Sequence, residues 1–496
     1  MASITGSGAL RLYSISRSGQ NIARLGEKEV VVHAASGDRA VGIIQTIRLE
    51  EPFASQVRFL RFSRSPADNV DEGKDNWNLL NAVSCRRGLC ASDTRASVWQ
   101  LNSPDWYAEI ENIDPDLTNL DFGSSDNEVI IFHNWNTKVT IFNLDTGRSQ
   151  IIRSPKFSTV NGYGYRPRTG QFAILLKPET VDLLTIHEFQ TYELISKVVL
   201  PTVDAHGLKW SPDGKWIAVW EGGSAGTKLL VYTADGQLFR THTGPQGSDN
   251  TFDLGVRNIE WSPSIGDDPT ASLLAVGKFD GTVDILNGKT LSCSTTLSHV
   301  FHIGNQSPRI WRERYSGKGR LGYFEYAEAS SSSAFMSTSD PSGLPRGISI
   351  MLFSCDGSLL ATLDQSRPNV VWIWSLRPIP RLESALTHEH SVKQFTWHPR
   401  EPKLLIMTNN TVAPIVHHWS LNEDPVIAHI LTTPTEAGRY EAAWVSDDPS
   451  VFWFSTPTNS FLGYIAMIDD RAQFCLLYTV DEGESDRYKT GNVTYL

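Results

Sequence analysis

Three stretches of this chain carry residue types that could do chemistry. His388-Glu389-His390 sets two imidazoles around a carboxylate, the raw material of a zinc site or of general acid–base work. His417-His418 adds two more imidazoles, and Gly317-Lys318-Gly319-Arg320-Leu321-Gly322 has the glycine spacing with which some loops cradle a phosphate. Each lacks the spacing or the setting that chemistry needs. A helical zinc motif places its histidines one turn apart, which an adjacent trio on a loop cannot do. Neighbours in a strand point to opposite faces, so His417 and His418 cannot share a metal. The glycine run follows no strand and leads into no amphipathic helix. Cys85 and Cys90 bracket Arg-Arg-Gly-Leu with no second pair at zinc spacing, and no nucleophile elbow, phosphate-loop lysine or kinase set is present. The chain is therefore expected to hold no metal or cofactor and to catalyse no reaction.

The elements that position these residues come from a repeat. Trp210-Ser-Pro-Asp-Gly-Lys-Trp-Ile-Ala-Val-Trp220-Glu221 reads strand, turn, strand, and related pairs recur along the chain: "NIEWSPS" with "LLAVGKFDGTVDILN", "ISIMLFSCDGSLLAT" with "NVVWIWSL", and "VKQFTWHPREPKLLIMT" with "VHHWSL". Weaker copies bring the number to nine, with turns near Ser16, Ser65, Gly123, Arg166, Ser211, Ser262, Ser354, His398 and Ser446. Most intervals fall near the ~40 to 45 residues of a four-stranded propeller blade. The fold expected is all-β, a WD40 β-propeller over residues 1–496, with nine blade-like units in one ring or seven or eight blades plus accessory strands. Trp210, Trp261, Trp397 and Trp444 recur at the end of a first strand, and Trp99, Trp374 and Trp419 in a third, as expected of blade-to-blade packing. Asp93 and Asp280 precede third strands, where an aspartate commonly ties the turn, while the usual Gly-His histidine is matched loosely by His390, so most blades should lack the full hydrogen-bonded tetrad.

The long interval between Ser262 and Ser354 must hold an insertion, expected as a loop at 300–346. It sets Arg309, Arg312, Arg314, Lys318 and Arg320 among Trp311, Tyr315, Tyr323 and Phe324, then runs into a serine-rich tract. Arginines and aromatics are the residues of interface anchors, so Arg309, Trp311, Arg312, Arg314 and Tyr315 are expected to meet a partner. Trp220 and Glu221, which end a strand where a blade reaches the ring's face, are candidates for the same role. Phosphorylation of the serines from Ser330 to Ser339 would set negative charge beside the arginines.

Composition limits the partners. Of 496 residues, 55 are acidic and 44 basic, a formal net charge of -11, so the long-range field repels nucleic acid, anionic lipid and the acidic surface of a microtubule. Five scattered cysteines suit a reducing compartment better than a disulfide framework, and no apolar run approaches a membrane span.

Beyond the repeat, "IAVWEGGSAGTKLLVYTADGQLFRT", "NIEWSPS", "LLAVGKFDGTVDILNGKTL", "PRGISIMLFSCDGSLLAT" and "FTWHPREPKLLI" follow one another in an order that resembles the WD repeat-containing protein eight family of spindle-pole and centrosome proteins. The resemblance runs from the unit near Ser16 to the unit near Ser446. It implies a non-enzymatic scaffold in the cytoplasm and cytoskeleton, at the spindle pole body or microtubule-organising centre. There it would anchor microtubule minus ends through a coiled-coil spindle-anchoring protein and a minus-end-directed kinesin-14. Association with microtubules and the γ-tubulin complex would be indirect, without membrane or direct nucleic-acid binding. A translation- or RNA-protein-associated WD40 scaffold is the alternative. The serine-rich insertion and the added "ADNVDEGKDNWN" of the second unit depart from the family.

Overall fold

The computed structural model describes residues 13–480 apart from 36–40, 64–85, 245–253, 264–271, 300–307, 317–322, 330–346, 431–439 and a few isolated positions. The added stretch of the second unit, the glycine run, the serine-rich tract, Ser65, Cys85 and Ser446 lie outside the described residues.

The middle strands are apolar on both faces. In Leu359–Asp364 and Val370–Ser375 every residue is buried, a pattern that requires a packed neighbour on each side of the sheet. First strands alternate, as in Val392–Trp397, where Val392, Phe395 and Trp397 are the buried positions. Fourth strands turn to solvent, as in Leu238–His242. Four consecutive strands of this kind make an antiparallel meander nine times over among the described residues, at 13–48, 59–110, 117–153, 163–199, 205–242, 256–298, 348–387, 392–429 and 441–480.

Each meander buries its two faces against its neighbours in the series. Val30 of the first sheet meets Leu60 and Trp99 of the second, and a corresponding cluster joins every later pair. A last cluster brings Ile22 of the first sheet against Val451, Trp453 and Leu462 of the ninth. The sheets therefore close into one ring with the first strands innermost. Among the described residues no strand is shared between the first and last sheets, and side chains join the two. The Trp453 indole donates to the Gly19 carbonyl at 2.7 Å, and the Arg24 guanidinium donates to Ser460 Oγ at 2.5 Å and to the Pro457 carbonyl at 2.8 Å.

The recurring tryptophans have a physical reason. Trp210, Trp397 and Trp444 each donate the indole N–H to a carbonyl in the first strand of the preceding sheet, at Gly164 (3.2 Å), Leu352 (2.9 Å) and Thr396 (3.1 Å). Such a bond satisfies a partly buried donor and sets the spacing of neighbouring sheets. Trp261 packs at the equivalent place without that bond.

The turns are built by their first residue. Ser211 Oγ accepts the Trp216 N–H at 2.9 Å and donates to Asp213 at 2.6 Å, and Gly214 supplies φ +71°. Ser354 repeats the device, and His398 Nδ1 replaces the hydroxyl by accepting the N–H groups of Arg400 and Glu401. Replacing the buried Ser211 with alanine leaves the Trp216 N–H without its acceptor, at a cost of about 1 to 2 kcal/mol. Urea unfolding should show that loss; a midpoint equal to that of the unaltered protein contradicts the assignment.

Two turn expectations are corrected. Asp280 does tie its turn, accepting the Thr282 N–H at 2.8 Å, but Asp93 pairs with Arg58 at the surface while Ser92 holds the turn. The tetrad-like bonding belongs to His299 rather than His390. Its Nδ1 is 2.6 Å from the Gly281 carbonyl, its Nε2 is 2.8 Å from Thr362 Oγ1, and that hydroxyl accepts the Trp374 indole at 3.0 Å.

Candidate functional site

The insertion is not a loop where it is described. Arg309–Ser316 and Tyr323–Glu328 form an antiparallel hairpin, and the first of these strands adds in parallel to Arg381–Thr387, the outer strand of the seventh sheet, which thereby gains two strands. Alternation along Arg309–Ser316 decides the fate of each candidate. Trp311 and Glu313 face inward, Trp311 into the cluster between the seventh and eighth sheets, and Arg312 and Arg314 face solvent together on the other side. Arg309 and Tyr315 are exposed at the strand's ends, Arg309 paired with Asp424 at 3.3 Å across open solvent.

What fixes the hairpin is a buried polar cluster. The Glu313 carboxylate, fully buried, accepts the Glu389 N–H at 3.0 Å and lies 3.3 Å from His417 Nε2. The Tyr326 hydroxyl is 2.8 Å from His388 Nε2, whose Nδ1 is 3.1 Å from the Asn369 carbonyl. At the outer end the Phe324 N–H donates to His429 Nε2 at 3.3 Å, with the two rings stacked, and Arg471 of the ninth sheet lies over Tyr323 at 4.4 Å. The hairpin is thus seated on three successive sheets.

The electrostatics are those of a structural latch. Burial alone would raise Glu313, but its hydrogen bond to His417, the charges of His417 and His388 and the Glu389 N–H outweigh that and hold it at about 2. Burial, reinforced by His417, pushes His388 down to about 3 against the opposing pull of Glu313. Read from the sequence, His388 and His417 stand only with their chain neighbours and Glu313 has no role. Nothing in their spacing announces the cluster, because they lie on two different sheets and the insertion brings the carboxylate between them.

Trp220 and Glu221 are built into the ring. Trp220 packs in the cluster between the fifth and sixth sheets, so close to Gly207 that a Cβ there would lie 2.4 Å from the indole. Glu221, fully buried, accepts the N–H groups of Val203 at 2.5 Å and Asp204 at 3.1 Å and lies 3.3 Å from Lys228. Neither side chain reaches the surface, and their strand-end position serves the loop behind them. Trp311 is buried likewise. Of the seven residues assigned to a partner surface, Arg309, Arg312, Arg314 and Tyr315 are exposed.

Other buried charges are also spent on loops. Asp182 holds Lys156 at 2.8 Å and accepts the Ala205 N–H at 2.6 Å, and Asp284 binds Thr296 at 2.7 Å beside Lys278 and His242. Among the described residues no three histidine, cysteine or acidic side chains are grouped to hold a metal ion. His418 lies on the strand face opposite His417, its ring 6.0 Å from Trp444.

No protein-family model matches the chain. It is 26% identical over 373 residues to the mouse WD repeat-containing protein WRAP73, covering 71% of this chain and 76% of that one. It is 26% identical over 355 residues to an uncharacterized WD repeat-containing protein of Schizosaccharomyces pombe, covering 69% and 70%. Among solved structures it resembles the C-terminal WD40 domain of Sif2, with 12% identity, a TM-score of 0.44 and coverage of 80% and 94%, and Kluyveromyces lactis Hsv2, with 12% identity, a TM-score of 0.39 and coverage of 74% and 98%. The sequence relatives are WD repeat proteins, none of these names indicates a catalytic family, and the ring of four-stranded sheets is a WD40 β-propeller.

Proposed function

We propose that this propeller is a non-enzymatic scaffold that anchors microtubule minus ends at the spindle pole body or centrosome, joining a coiled-coil spindle-anchoring protein and a kinesin-14 motor. The reading rests on the order of the chain's repeat segments, which resembles that of the spindle-pole family, and on relatives that are WD repeat proteins. The observation that carries the scaffold role is the hairpin. Arg312 and Arg314 stand side by side on a strand locked to three sheets, exposed with Glu325 opposite Arg314, on a protein of net charge -11. A pre-ordered ledge binds without the entropy cost of immobilising a free loop, and Arg and Tyr are the residues that anchor interfaces. The acidic balance of the chain leaves tubulin to be reached through partners.

The test is a tagged chain followed through mitosis, with the proteins recovered alongside it identified. The chain should sit at the pole with a coiled-coil protein. Reversing Arg312 and Arg314 to glutamate should weaken that recovery at least tenfold with no change in unfolding midpoint, since both side chains are in solvent. Unchanged recovery removes the ledge from the interface, and absence from the pole removes the anchoring role.

A further inference from the structure

The insertion shows what the rim of this ring can accept. Its first strand joins the outer strand of the seventh sheet through four residue pairs, from Arg309 with Ser384 to Arg312 with Thr387. Those four residues follow a bulge, in which Glu383 has no partner on Val370–Ser375. The bulge leaves a short regular ladder beyond it, and that ladder holds the added strand. The fourth sheet repeats this geometry. Ile195 is the extra residue of a bulge between Leu194, opposite His187, and Ser196, opposite Ile186, and residues 196–199 form the regular ladder beyond it. Among the described residues no strand lies on the outer side of Leu194–Val199. The Leu200 N–H turns inward to the Asp182 carbonyl at 3.0 Å, so by alternation the N–H and C=O groups of Lys197 and Val199 point to the open side.

Three other open outer strands share the bulge, Val41–Arg48, Leu238–His242 and Cys293–Ser298, but side chains of their ladders are already engaged. Gln45 donates across to the Gln100 carbonyl of the second sheet at 3.1 Å. Arg240 donates to the Thr290 carbonyl at 2.7 Å with His242 3.2 Å from Asp284, and Thr296 donates to Asp284 at 2.7 Å. Among the described residues neither Ser196 nor Lys197 makes a side-chain hydrogen bond or ion pair. Leu194 (55% exposed), Ile195 (45%) and Val199 (64%) give this strand more exposed large apolar side chains than any other outer strand described. One flank is walled by the fifth sheet. Its turn at Gly236 lies so near that a Cβ there would be 2.6 Å from Ser196 Oγ and 3.0 Å from Val198 Cγ2, and the half-exposed Leu238 and Phe239 follow directly.

We propose that the outer edge of the fourth sheet, at residues 196–199, binds an extended segment of a partner protein as a fifth strand, with an acidic residue opposite Lys197 and apolar residues opposite Val198 and Val199. The open backbone groups supply the ladder, and the ammonium and the two valines select the sequence. A helix cannot use such an edge, because its own backbone groups are paired within it, and a proline lacks the donor. A second copy of this chain is disfavoured, since edge-to-edge pairing centred on this strand brings Lys197 beside another Lys197. The inference stands apart from the spindle-pole reading and from the arginines of the seventh sheet.

The test begins with p-benzoylphenylalanine in place of Val199 in the full-length chain, irradiated in cells, with the cross-linked peptide sequenced. The expected peptide belongs to another protein and carries an acidic residue next to two apolar ones, with no proline among them. A cross-link only to this chain or a second copy of it, to lipid or to nucleic acid, or none above the dark control, overturns the proposal. The peptide found is then synthesised with a fluorophore and titrated with the unaltered chain. Strand addition predicts that N-methylation at backbone positions facing the edge weakens binding roughly tenfold while the alternate positions tolerate it. Equal effects at both sets overturn it. Lys197→Glu should weaken binding roughly tenfold at an unchanged unfolding midpoint, and a lysine in place of the peptide's acid should restore it. A swap that restores nothing overturns the pairing. Reversal of Arg312 and Arg314 should leave this binding unchanged, and a peptide that binds the edge of a chain absent from the spindle pole supports this inference while removing the pole role.

Discussion

Replacing Trp453 with alanine is expected to destabilise the protein by about 3 to 5 kcal/mol, the range for truncating a buried tryptophan. The side chain is fully buried, fills the cluster between the ninth and first sheets, and donates to the Gly19 carbonyl. Gly19 has no slack to follow it, with φ +69° and a would-be Cβ only 1.9 Å from the Trp444 carbonyl oxygen. The effect should also differ in kind from an equal truncation elsewhere. Trp372, equally buried between the sixth and seventh sheets, joins sheets that the chain itself connects. Trp453 joins the first and last sheets, which share no strand among the described residues. Limited proteolysis of Trp453→Ala should therefore cut first in the terminal sheets, whereas Trp372→Ala should expose the ring as a whole. A Trp453→Ala protein with a urea midpoint and digestion pattern equal to those of the unaltered chain contradicts side-chain closure. Trp453→Phe, which keeps most of the apolar volume and loses the hydrogen bond, should fall between.

Acidification gives the second large effect. Burial holds His33 at about 4, His418 at about 4 and His388 at about 3, against a usual value near 6.5. For a histidine lowered in the folded state, the unfolded chain takes up the proton first, so the stability present above pH 6.5 is lost as pH falls toward the folded value. Each such group contributes a slope approaching roughly 1.4 kcal/mol per pH unit within that window, and three together approach roughly 4 kcal/mol per unit. Glu313, held at about 2 against a usual 4.5, extends the loss below pH 4.5 by the same sign. Urea midpoints should fall steeply from pH 6.5 to pH 4, and a His388→Gln protein should show a shallower slope. A flat profile over that range would falsify the buried, neutral state of these rings.

The seated hairpin has a consequence for the scaffold role. Its latch of Glu313, His417, His388 and Tyr326 lies inside, while the arginine ledge lies outside on the same strand. The alternation of one strand thus separates what holds the surface from what the surface offers. The same logic places Trp220 and Glu221 among the supporting residues, since Glu221 orders the loop that carries Val203 and Asp204.

The sequence by itself determined the repeat, its strands and its turns, because these depend on local terms. Apolar residues at strand spacing, a serine or histidine that caps the turn, a glycine that accepts positive φ and a tryptophan at a fixed place in each unit all act within one sheet or on the next. The tertiary structure alone decided which aromatics are spent inside and which are left in water. Trp220 and Trp311, candidates for a partner surface, are packed, while Trp135, in an unremarked Asn-Trp-Asn turn, is held out. It also turned the insertion from a loop into two strands, since the edge of Arg381–Thr387 and the histidines that receive Glu313 are supplied by sheets about 70 to 100 residues further along the chain. Closure of the ring is of the same kind. Gly19 and Trp453 are more than 400 residues apart, and only the summed rotation of nine packed sheets brings them together.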